Sequence, residues 1–179
     1  QWLTPSKPNQ ILKWWNHGFW ELLSFAMQMV LIVVTGEAIA QSRLIQSLLR
    51  KFCSIPKSAR AAIMLLTAFS MTLGWLHWGF GLVFASLTGR ELARTLNSKK
   101  IVLHYPLIGT AAYMSMLLWH AGTTASAPLL INTPGHFLEK EIGLIPLSQT
   151  IFLPSNLFIC LMLLILIPVL LVQLIPRRK

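Results

Sequence analysis

The charged residues of this chain are gathered into short clusters, and the stretches between the clusters are apolar. With histidine counted as neutral, the segments 61–89, 101–138 and 142–176 carry no charge, and 22–42 carries only Glu37. An α-helix crosses the roughly 30 Å hydrocarbon layer of a membrane with about 20 residues, so each segment is long enough to cross. The pattern predicts an all-α, polytopic membrane protein in which residues 1–179 form one transmembrane domain. We place its membrane segments at residues 20–42, 61–95, 104–133 and 151–175.

Composition supports the membrane assignment and removes several other classes. Of the 179 residues, 55% are apolar and 11% are charged, whereas about 25% are charged in a soluble domain. All five acidic residues are glutamates, and the absence of aspartate excludes an aspartyl intramembrane protease, a Walker B site and an EF-hand loop. The net charge of +10 is divided by long uncharged segments, which a soluble nucleic-acid-binding protein does not need. We therefore predict the lipid bilayer, and no nucleic acid, as a partner.

The positions of lysine and arginine predict the orientation, because cytoplasmic loops retain these residues. If all four segments simply crossed, nine basic residues would lie on one side and six on the other. If the second segment instead entered and left on the same side, twelve would lie inside and three outside. The second arrangement has the stronger bias. It places the amino terminus outside the cytoplasmic (inner) membrane and the carboxy terminus, with basic residues 177–179, inside.

The second segment contains an interruption that agrees with this arrangement. Gly74, Gly79 and Gly81 lie close together around His77, and glycines suit a turn better than the middle of a spanning helix. The first arm, of about 13 residues, rises roughly 20 Å, which reaches the middle of the membrane. We predict a re-entrant hairpin over 61–95 with a binding site at its tip. The alternative is one long tilted helix that is kinked by glycine.

The third segment is interrupted from His120 to Pro128. Small residues and hydroxyls crowd this stretch, and Pro128 removes a backbone donor and a helix hydrogen bond. A discontinuous helix exposes carbonyls at the end of one half and amides at the start of the other, and these groups bind cations and anions respectively. We predict a broken transmembrane helix over 104–133 with a binding site at the break. The alternative is helix–helix packing through small residues.

Polar residues at the two interruptions form the candidate site for substrate and ion. Their hydroxyls can donate to a carboxylate or coordinate Na⁺ in place of excluded water. An intramembrane histidine is a substrate donor, a proton relay or a group hydrogen-bonded to carbonyls, and Asn132 has an external turn as its competing interpretation. No metal site and no cofactor are predicted, because the histidines lack ligand spacing. The candidates are Gly122, Thr123, Thr124, Ser126, His77, Trp78, Gly79, His120 and Asn132.

Four groups of motifs follow one another along nearly the whole chain. They are Gly18–Met29 with Val34–Gly36, Trp78–Val83 with Arg90–Arg94, Trp119–Gly122 with Ser126–Leu130 and Thr133–His136, and Gly143–Pro146. Together they resemble the bacterial short-chain fatty acid transporters of the acetoacetate and butyrate uptake type. The family usually has an amide residue at the position of His77 and Ser-Gly-Ser at 124–126, so both departures concern the candidate site.

The resemblance implies a secondary transporter of short-chain fatty acids, butyrate and acetoacetate among them. It implies that this chain, which begins at Gln1, is a piece: one repeat of an inverted-repeat transporter, and so the amino-terminal half of a longer chain. The missing carboxy-terminal half would then be a partner, a small monocarboxylate the substrate, and Na⁺ or H⁺ the coupling ion. Binding would take place at mid-membrane depth between broken helices. Association into a homo-oligomer is left open.

Two other functions compete with transport. An intramembrane serine-type hydrolase would use Ser126 as nucleophile and His77 or His120 as base, and such a base must lie within about 3 Å of the hydroxyl. His120 lies six positions before Ser126, which is awkward for a regular helix. A membrane scaffold fragment without activity of its own is the third interpretation. We expect no enzymatic activity, and we expect the 179-residue chain alone to be inactive because a midplane site needs both repeats.

Overall fold

The computed structural model describes residues 7–136 and 138–176, and this part of the chain is helical without any strand. The all-α prediction is therefore confirmed for the described residues. The basic residues 177–179, which the orientation argument counts, lie outside them. The helices are α1 (Pro8–Ala40), α2 (Arg43–Ser54), α3 (Ala59–Leu76), α4 (Trp78–Ser98), α5 (Tyr105–Tyr113), α6 (Ser115–Trp119), α7 (Ser126–Ile131), α8 (Glu139–Ile142) and α9 (Pro154–Gln173), with a 3₁₀ turn at Leu147–Gln149.

Helix α1 has 33 residues and is longer than the predicted segment 20–42. It begins with Pro8 in its first turn, where the missing N–H costs no helix hydrogen bond. At its other end a short turn leads into α2, whose first turn is capped by the Ser42 side chain accepting from the Ile45 N–H. Helix α1 packs alongside α4 in the same direction, because Ile32 lies against Gly79 and Gly36 lies against Val83.

Helix α2 lies against the hairpin through its apolar side. The fully buried Cys53 thiol donates to the Thr88 carbonyl of α4 over 3.6 Å. Burial, with a smaller contribution from the nearby Glu91 carboxylate, raises the pKa of the Cys53 thiol to about 12. Because the thiolate is the reactive form of cysteine, Cys53 is a packing residue here.

Helices α3 and α4 form a helical hairpin in which only His77 separates the two helices. His77 has extended backbone angles (φ −160°, ψ 120°), which end one helix and begin the next. The arms are antiparallel, since Leu66 lies beside Gly89 and Gly74 lies beside Gly81. They contain 18 and 21 residues, so the first arm is longer than the 13 residues predicted. Entry and exit of this hairpin on one membrane side stays a prediction.

The third segment folds as three short helices, α5, α6 and α7. Between α6 and α7 the chain leaves the helical path at residues 120–125, inside the predicted interruption. A further break at Met114 divides α5 from α6 and was not predicted. Here the Ser70 hydroxyl of α3 donates to the Ala111 carbonyl over 2.7 Å, and in a continuous helix that carbonyl would accept from the Ser115 N–H.

The backbones of α3, α4 and α6 meet at Gly74, Gly81 and Ser115. A Cβ atom on Gly74 would lie 1.9 Å from the Ser115 carbonyl oxygen, and one on Gly81 would lie 2.8 Å from the Gly74 Cα. Any side chain at either glycine would force the helices apart. Below this crossing, a core of apolar residues from α2, α3, α4, α5 and α9 is closed to solvent; it contains Cys53, Ala62, Ile63, Leu66, Leu92, Leu96, Leu107, Ile108, Ala111 and Leu171.

Two helices in the described part, Ala59–Leu76 and Pro154–Gln173, are long and apolar enough to cross a membrane by length and composition. The second of them, α9, lies within the predicted segment 151–175. It packs on α3 through Cys160 and presents a broad apolar surface in which Phe158 is 68% exposed and Ile165 is 61% exposed. Such a surface suits contact with lipid or with further transmembrane helices.

Candidate functional site

The two predicted interruptions meet in space, and we call their contact the junction: the hairpin tip, residues 75–79, and the break, residues 120–125. Thr123 makes the central contact. Its backbone N–H donates to the Trp75 carbonyl over 2.8 Å, and its hydroxyl lies within hydrogen-bond distance of the Trp75 and Leu76 carbonyls. These carbonyls end helix α3 and have no partner in their own helix. Thr123 therefore satisfies the backbone that the hairpin tip exposes.

Thr124 bonds the other side of the same tip. Its hydroxyl oxygen accepts from the Trp78 N–H, the first of helix α4, over 3.2 Å. Its carbonyl accepts from the Trp119 indole N–H over 2.9 Å. Because the Thr124 hydroxyl oxygen accepts from the Trp78 N–H, the hydroxyl hydrogen is left for a further acceptor. The indole rings of Trp78 and Trp119 lie 6.0 Å apart beside these bonds.

The glycines of the junction permit its close approach. A Cβ atom on Gly122 would lie 2.2 Å from the Trp75 carbonyl oxygen, and one on Gly79 would lie 2.4 Å from the Ile32 side chain. Both glycines were predicted as site residues. In the structure, Gly122 lets the break touch the tip and Gly79 lets α1 touch the start of α4.

His77 caps the helix that begins at the hairpin tip. Its Nδ1 atom accepts from the Gly79 N–H over 3.2 Å, so in the neutral ring the proton resides on Nε2. The ring lies 4.8 Å from the Phe80 ring, centroid to centroid, and is partly buried. The Nε2–H group makes no hydrogen bond with any residue that the structure describes.

Three predicted residues lie at the edge of the junction or beyond it. Ser126 is exposed at the start of α7, and its hydroxyl has no hydrogen-bond partner within 7–136 and 138–176. His120 is exposed, and its ring lies against the Trp119 ring at 4.4 Å. Asn132 lies one helix further on, in the exposed turn after α7. None of the three takes part in the bonds that connect tip and break.

The hydrogen bonds of the described residues do not join Ser126 to either histidine proposed as its base. His77 uses Nδ1 within its own helix cap, and the His120 ring lies against Trp119. His136, which follows the turn after α7, bonds locally: its ring nitrogens contact the Gly143 carbonyl and the Leu138 N–H, each at 3.2 Å. No group of three or more potential metal ligands occurs among the described residues.

Two contributors to the junction were missed in the sequence. Asn156 of α9 donates through Nδ2 to the Ala121 carbonyl over 3.0 Å and to the Ile151 carbonyl over 2.8 Å, so α9 also holds the break. The sequence did contain a signal for Asn156, because it is an amide side chain inside an otherwise apolar segment. The Ser115 hydroxyl, just below the junction, is buried without a hydrogen-bond partner in the described chain. A serine in a helix commonly donates its hydroxyl to the carbonyl four residues earlier, which for Ser115 is that of Ala111. Here the Ser70 hydroxyl already donates to the Ala111 carbonyl.

Comparison with known proteins decides the family. The family model described as "Short chain fatty acid transporter" matches residues 1–179. This chain belongs to the short-chain fatty acid transporter family. The resemblance read from the four groups of motifs is therefore confirmed, and membrane transport is the function that the family indicates.

Two curated relatives, both provisionally named short-chain fatty acid transporters, extend the comparison. The protein from Escherichia coli (strain K12) is 41% identical over 98% of this chain and 39% of its own length. The protein from Haemophilus influenzae is 37% identical over 98% of this chain and 40% of its own length. The chain thus spans about two fifths of the length of these relatives. No solved structure matches it.

The two places where the resemblance implied a departure from the family pattern, 77 and 124–126, fall within or beside the junction. His77 caps α4 at the hairpin tip, and the segment 124–126 forms the end of the break. An amide residue at 77 would also offer an oxygen to the Gly79 N–H. Histidine in place of an amide at 77 would therefore preserve the helix cap while adding a second ring nitrogen.

Proposed function

We propose that the full-length protein, of which this chain is the amino-terminal portion, is a secondary transporter of short-chain monocarboxylates such as butyrate and acetoacetate. It carries them across the cytoplasmic membrane with a coupled cation and has no enzymatic activity. The observation that supports this most strongly is the junction itself, because two interrupted helices with hydroxyl and imidazole groups meet there. In membrane carriers, such interruptions at mid-depth hold substrate and coupling ions.

The groups left free at the junction suit a carboxylate. The Nε2–H of His77 and the hydroxyl hydrogen of Thr124 can both donate, and the Ser126 hydroxyl is exposed nearby in the chain. A carboxylate needs several donors to replace the water that it loses on entering the membrane. These three side chains are therefore the proposed substrate contacts.

The same junction offers two ways to couple a cation. Thr123 uses its hydroxyl hydrogen on the carbonyls that end α3, so its oxygen and those carbonyls present lone pairs, which suit Na⁺. Alternatively, His77 can bind a proton and form an ion pair with the substrate. An uptake experiment with each gradient separates the two.

In the proposed membrane placement the hairpin enters from the cytoplasmic side and its tip lies past mid-depth. The uncharged part of α4, from Trp78 to Gly89, rises about 18 Å at 1.5 Å per residue, and the charged residues from Arg90 onward remain in the cytoplasmic interface. The amino terminus is then outside and the carboxy terminus inside. The remainder of the full-length protein would supply an inverted second repeat that completes the site.

Uptake of radiolabelled butyrate by the full-length protein in proteoliposomes tests this function. Uptake is measured with an imposed Na⁺ gradient and with an imposed H⁺ gradient, for wild type, Ser126→Ala and the control Ser98→Ala. Ser98 is also an exposed serine, but it lies at the far end of α4. We expect gradient-dependent uptake in wild type and Ser98→Ala, and its loss in Ser126→Ala.

Each other outcome changes the proposal. Uptake that survives Ser126→Ala keeps the carrier and moves the substrate contacts toward His77 and Thr124. Absence of uptake under both gradients, with protein that is correctly inserted, contradicts the transport function itself.

A further inference from the structure

A groove runs along the hairpin at the end opposite to the junction, between the second half of α4 and the start of α5. It consists of two adjoining cavities of about 240 and 460 Å³, which share Arg90, Tyr105 and Ile108 in their walls. We call it the Arg90 groove. Arg90 lies 13 residues after His77 on α4, so about 20 Å of helix separate the groove from the hairpin tip.

Arg90 supplies a positive charge that no residue in the described part of the chain neutralises. Its side chain is exposed and forms no ion pair and no hydrogen bond with the residues in 7–136 and 138–176. The neighbouring acid, Glu91, instead faces Arg94 at 3.9 Å and also acts on the Cys53 thiol of α2. No acidic residue lines either cavity of the groove. An unpaired guanidinium in such a place attracts anions and binds carboxylates with paired N–H groups.

The smaller cavity continues from Arg90 as an apolar slot. Leu82, Ile108 and Ala112 form its walls. Gly109 lies on its rim, where a Cβ atom would meet nothing within 4 Å. Of the polar residues here, Ser86 already donates its hydroxyl hydrogen to the Val83 carbonyl. The slot therefore accepts a short apolar chain and offers few competing hydrogen bonds.

Tyr105 stands on the opposite side of the groove from α4. It is the first residue of α5, is 68% exposed and borders both cavities together with Arg90. Its hydroxyl makes no hydrogen bond with a described residue, so it is free to donate to a ligand. A guanidinium, a phenol hydroxyl and an apolar slot side by side match a small amphiphilic monoanion.

We propose that the Arg90 groove is a second binding site for short-chain monocarboxylates, on the cytoplasmic side of the carrier. The carboxylate pairs with the Arg90 guanidinium and accepts from the Tyr105 hydroxyl, and the acyl chain occupies the slot beside Gly109. This site rests on the proposed function for its ligand, but it is distinct from the junction. It would hold the substrate where it leaves or enters the cytoplasm.

Protection of an introduced cysteine tests the site without relying on transport. Gly109→Cys is made in the full-length protein after replacement of its native cysteines, and the rate of labelling by a maleimide is measured in detergent. Butyrate at ten times its Kd is expected to slow labelling roughly tenfold, because the unoccupied fraction falls as 1/(1 + [L]/Kd). Butyramide, which has the same chain without the charge, is expected to leave the rate unchanged.

Two variants serve as controls. Thr110→Cys places the label one residue further along α5, at an exposed position that lines neither cavity, and butyrate should not change its rate. Adding Arg90→Gln to Gly109→Cys should reduce the protection from roughly tenfold to about twofold or less, because the Kd for butyrate rises. Equal labelling with and without butyrate, or protection that stays near tenfold after Arg90→Gln, would overturn the proposal.

The outcome is separable from that of the transport function. Uptake in proteoliposomes without protection at Gly109→Cys removes the second site and leaves the carrier. Protection without uptake keeps a carboxylate site and removes the carrier.

Discussion

The two ends of the α3–α4 hairpin differ in whether their polar side chains are hydrogen-bonded within the described chain. At the tip, the hydroxyls of Thr123 and Thr124 are bonded to backbone groups of residues 75, 76 and 78. At the base, the Arg90 guanidinium has no partner in the described chain, although it carries a full charge. The tip is tightly packed through glycines, whereas the base is an open groove.

In the proposed membrane placement, the difference follows from the depth of each end. A helix that stops inside a membrane exposes carbonyls and amides, each of which costs several kcal/mol when left without a partner. The nearest hydroxyls are therefore used first to satisfy that backbone, and only their remaining lone pairs or hydrogens are available for a ligand. At the water interface the backbone is solvated, so a side chain there can keep its charge for binding. Substitutions at the tip should therefore lower stability more than substitutions at the base.

The largest expected effect belongs to the crossing of α3 and α6. Gly74→Ala places a Cβ atom 1.9 Å from the Ser115 carbonyl oxygen, which is backbone and cannot rotate away. We expect a loss of at least about 3 kcal/mol, the upper end for overpacked interiors. The apparent melting temperature of the detergent-solubilised full-length protein measures it.

Gly18→Ala in helix α1 is the matched control for this substitution. A Cβ atom there meets nothing within 4 Å, and replacing glycine by alanine in a helix stabilises it by roughly 0.5–1 kcal/mol. If Gly74→Ala and Gly18→Ala melted alike, the close crossing at Gly74 would be wrong.

The next effect concerns the bond between tip and break. Thr123→Val keeps the shape of the side chain but removes the hydroxyl that donates to the Leu76 carbonyl. The loss of a hydrogen bond costs about 0.5–1.5 kcal/mol, and more where the carbonyl faces lipid instead of water, so the melting temperature should fall. Thr123→Ser keeps the hydroxyl and should melt near wild type. Equal melting of the Val and Ser variants would show that this hydroxyl does not connect the two interruptions.

A smaller effect is expected at the helix cap. His77→Ala removes the Nδ1 acceptor from the Gly79 N–H, and loss of an N-cap acceptor typically costs about 1 kcal/mol. His77→Asn supplies an amide oxygen in its place and should recover most of the loss. Thermal unfolding of the two variants side by side gives the answer, and an Asn variant as unstable as the Ala variant would argue against the capping role.

The sequence predicted the helices and the interruptions because both depend on local composition. Uncharged apolar segments indicated membrane helices, and glycine, proline and hydroxyl residues marked His77 and residues 120–128 as places where helices end. The pairing of these interruptions was not predicted in detail, since Thr123 bonds to Trp75, which lies 48 residues earlier. Asn156 was missed for the same reason, because its acceptor, the Ala121 carbonyl, lies 35 residues away in the chain.

The roles of individual residues were harder to predict from the sequence. Hydroxyls at 123 and 124 were interpreted as substrate groups, but local pattern cannot tell whether a hydroxyl is already occupied by backbone. Arg90 was interpreted only as part of a family motif and as a topological charge. Its position in a groove depends on the packing of α5 against α4, which no periodicity in either segment reveals.

The smallest effect on stability is expected at the base of the hairpin, where the second binding site is proposed. Because Arg90 has no partner to lose among the described residues, Arg90→Gln should leave the free energy of unfolding within about 0.5 kcal/mol of wild type. A charge-assisted hydrogen bond is worth about 1.5–3 kcal/mol, so the butyrate concentration for half-maximal protection of Gly109→Cys should rise roughly tenfold or more. Arg60→Gln, which removes an exposed charge that lines neither cavity of the groove, should change neither quantity appreciably. Destabilisation by Arg90→Gln with unchanged protection would reverse the comparison, since Arg90 would then stabilise the fold without binding the carboxylate.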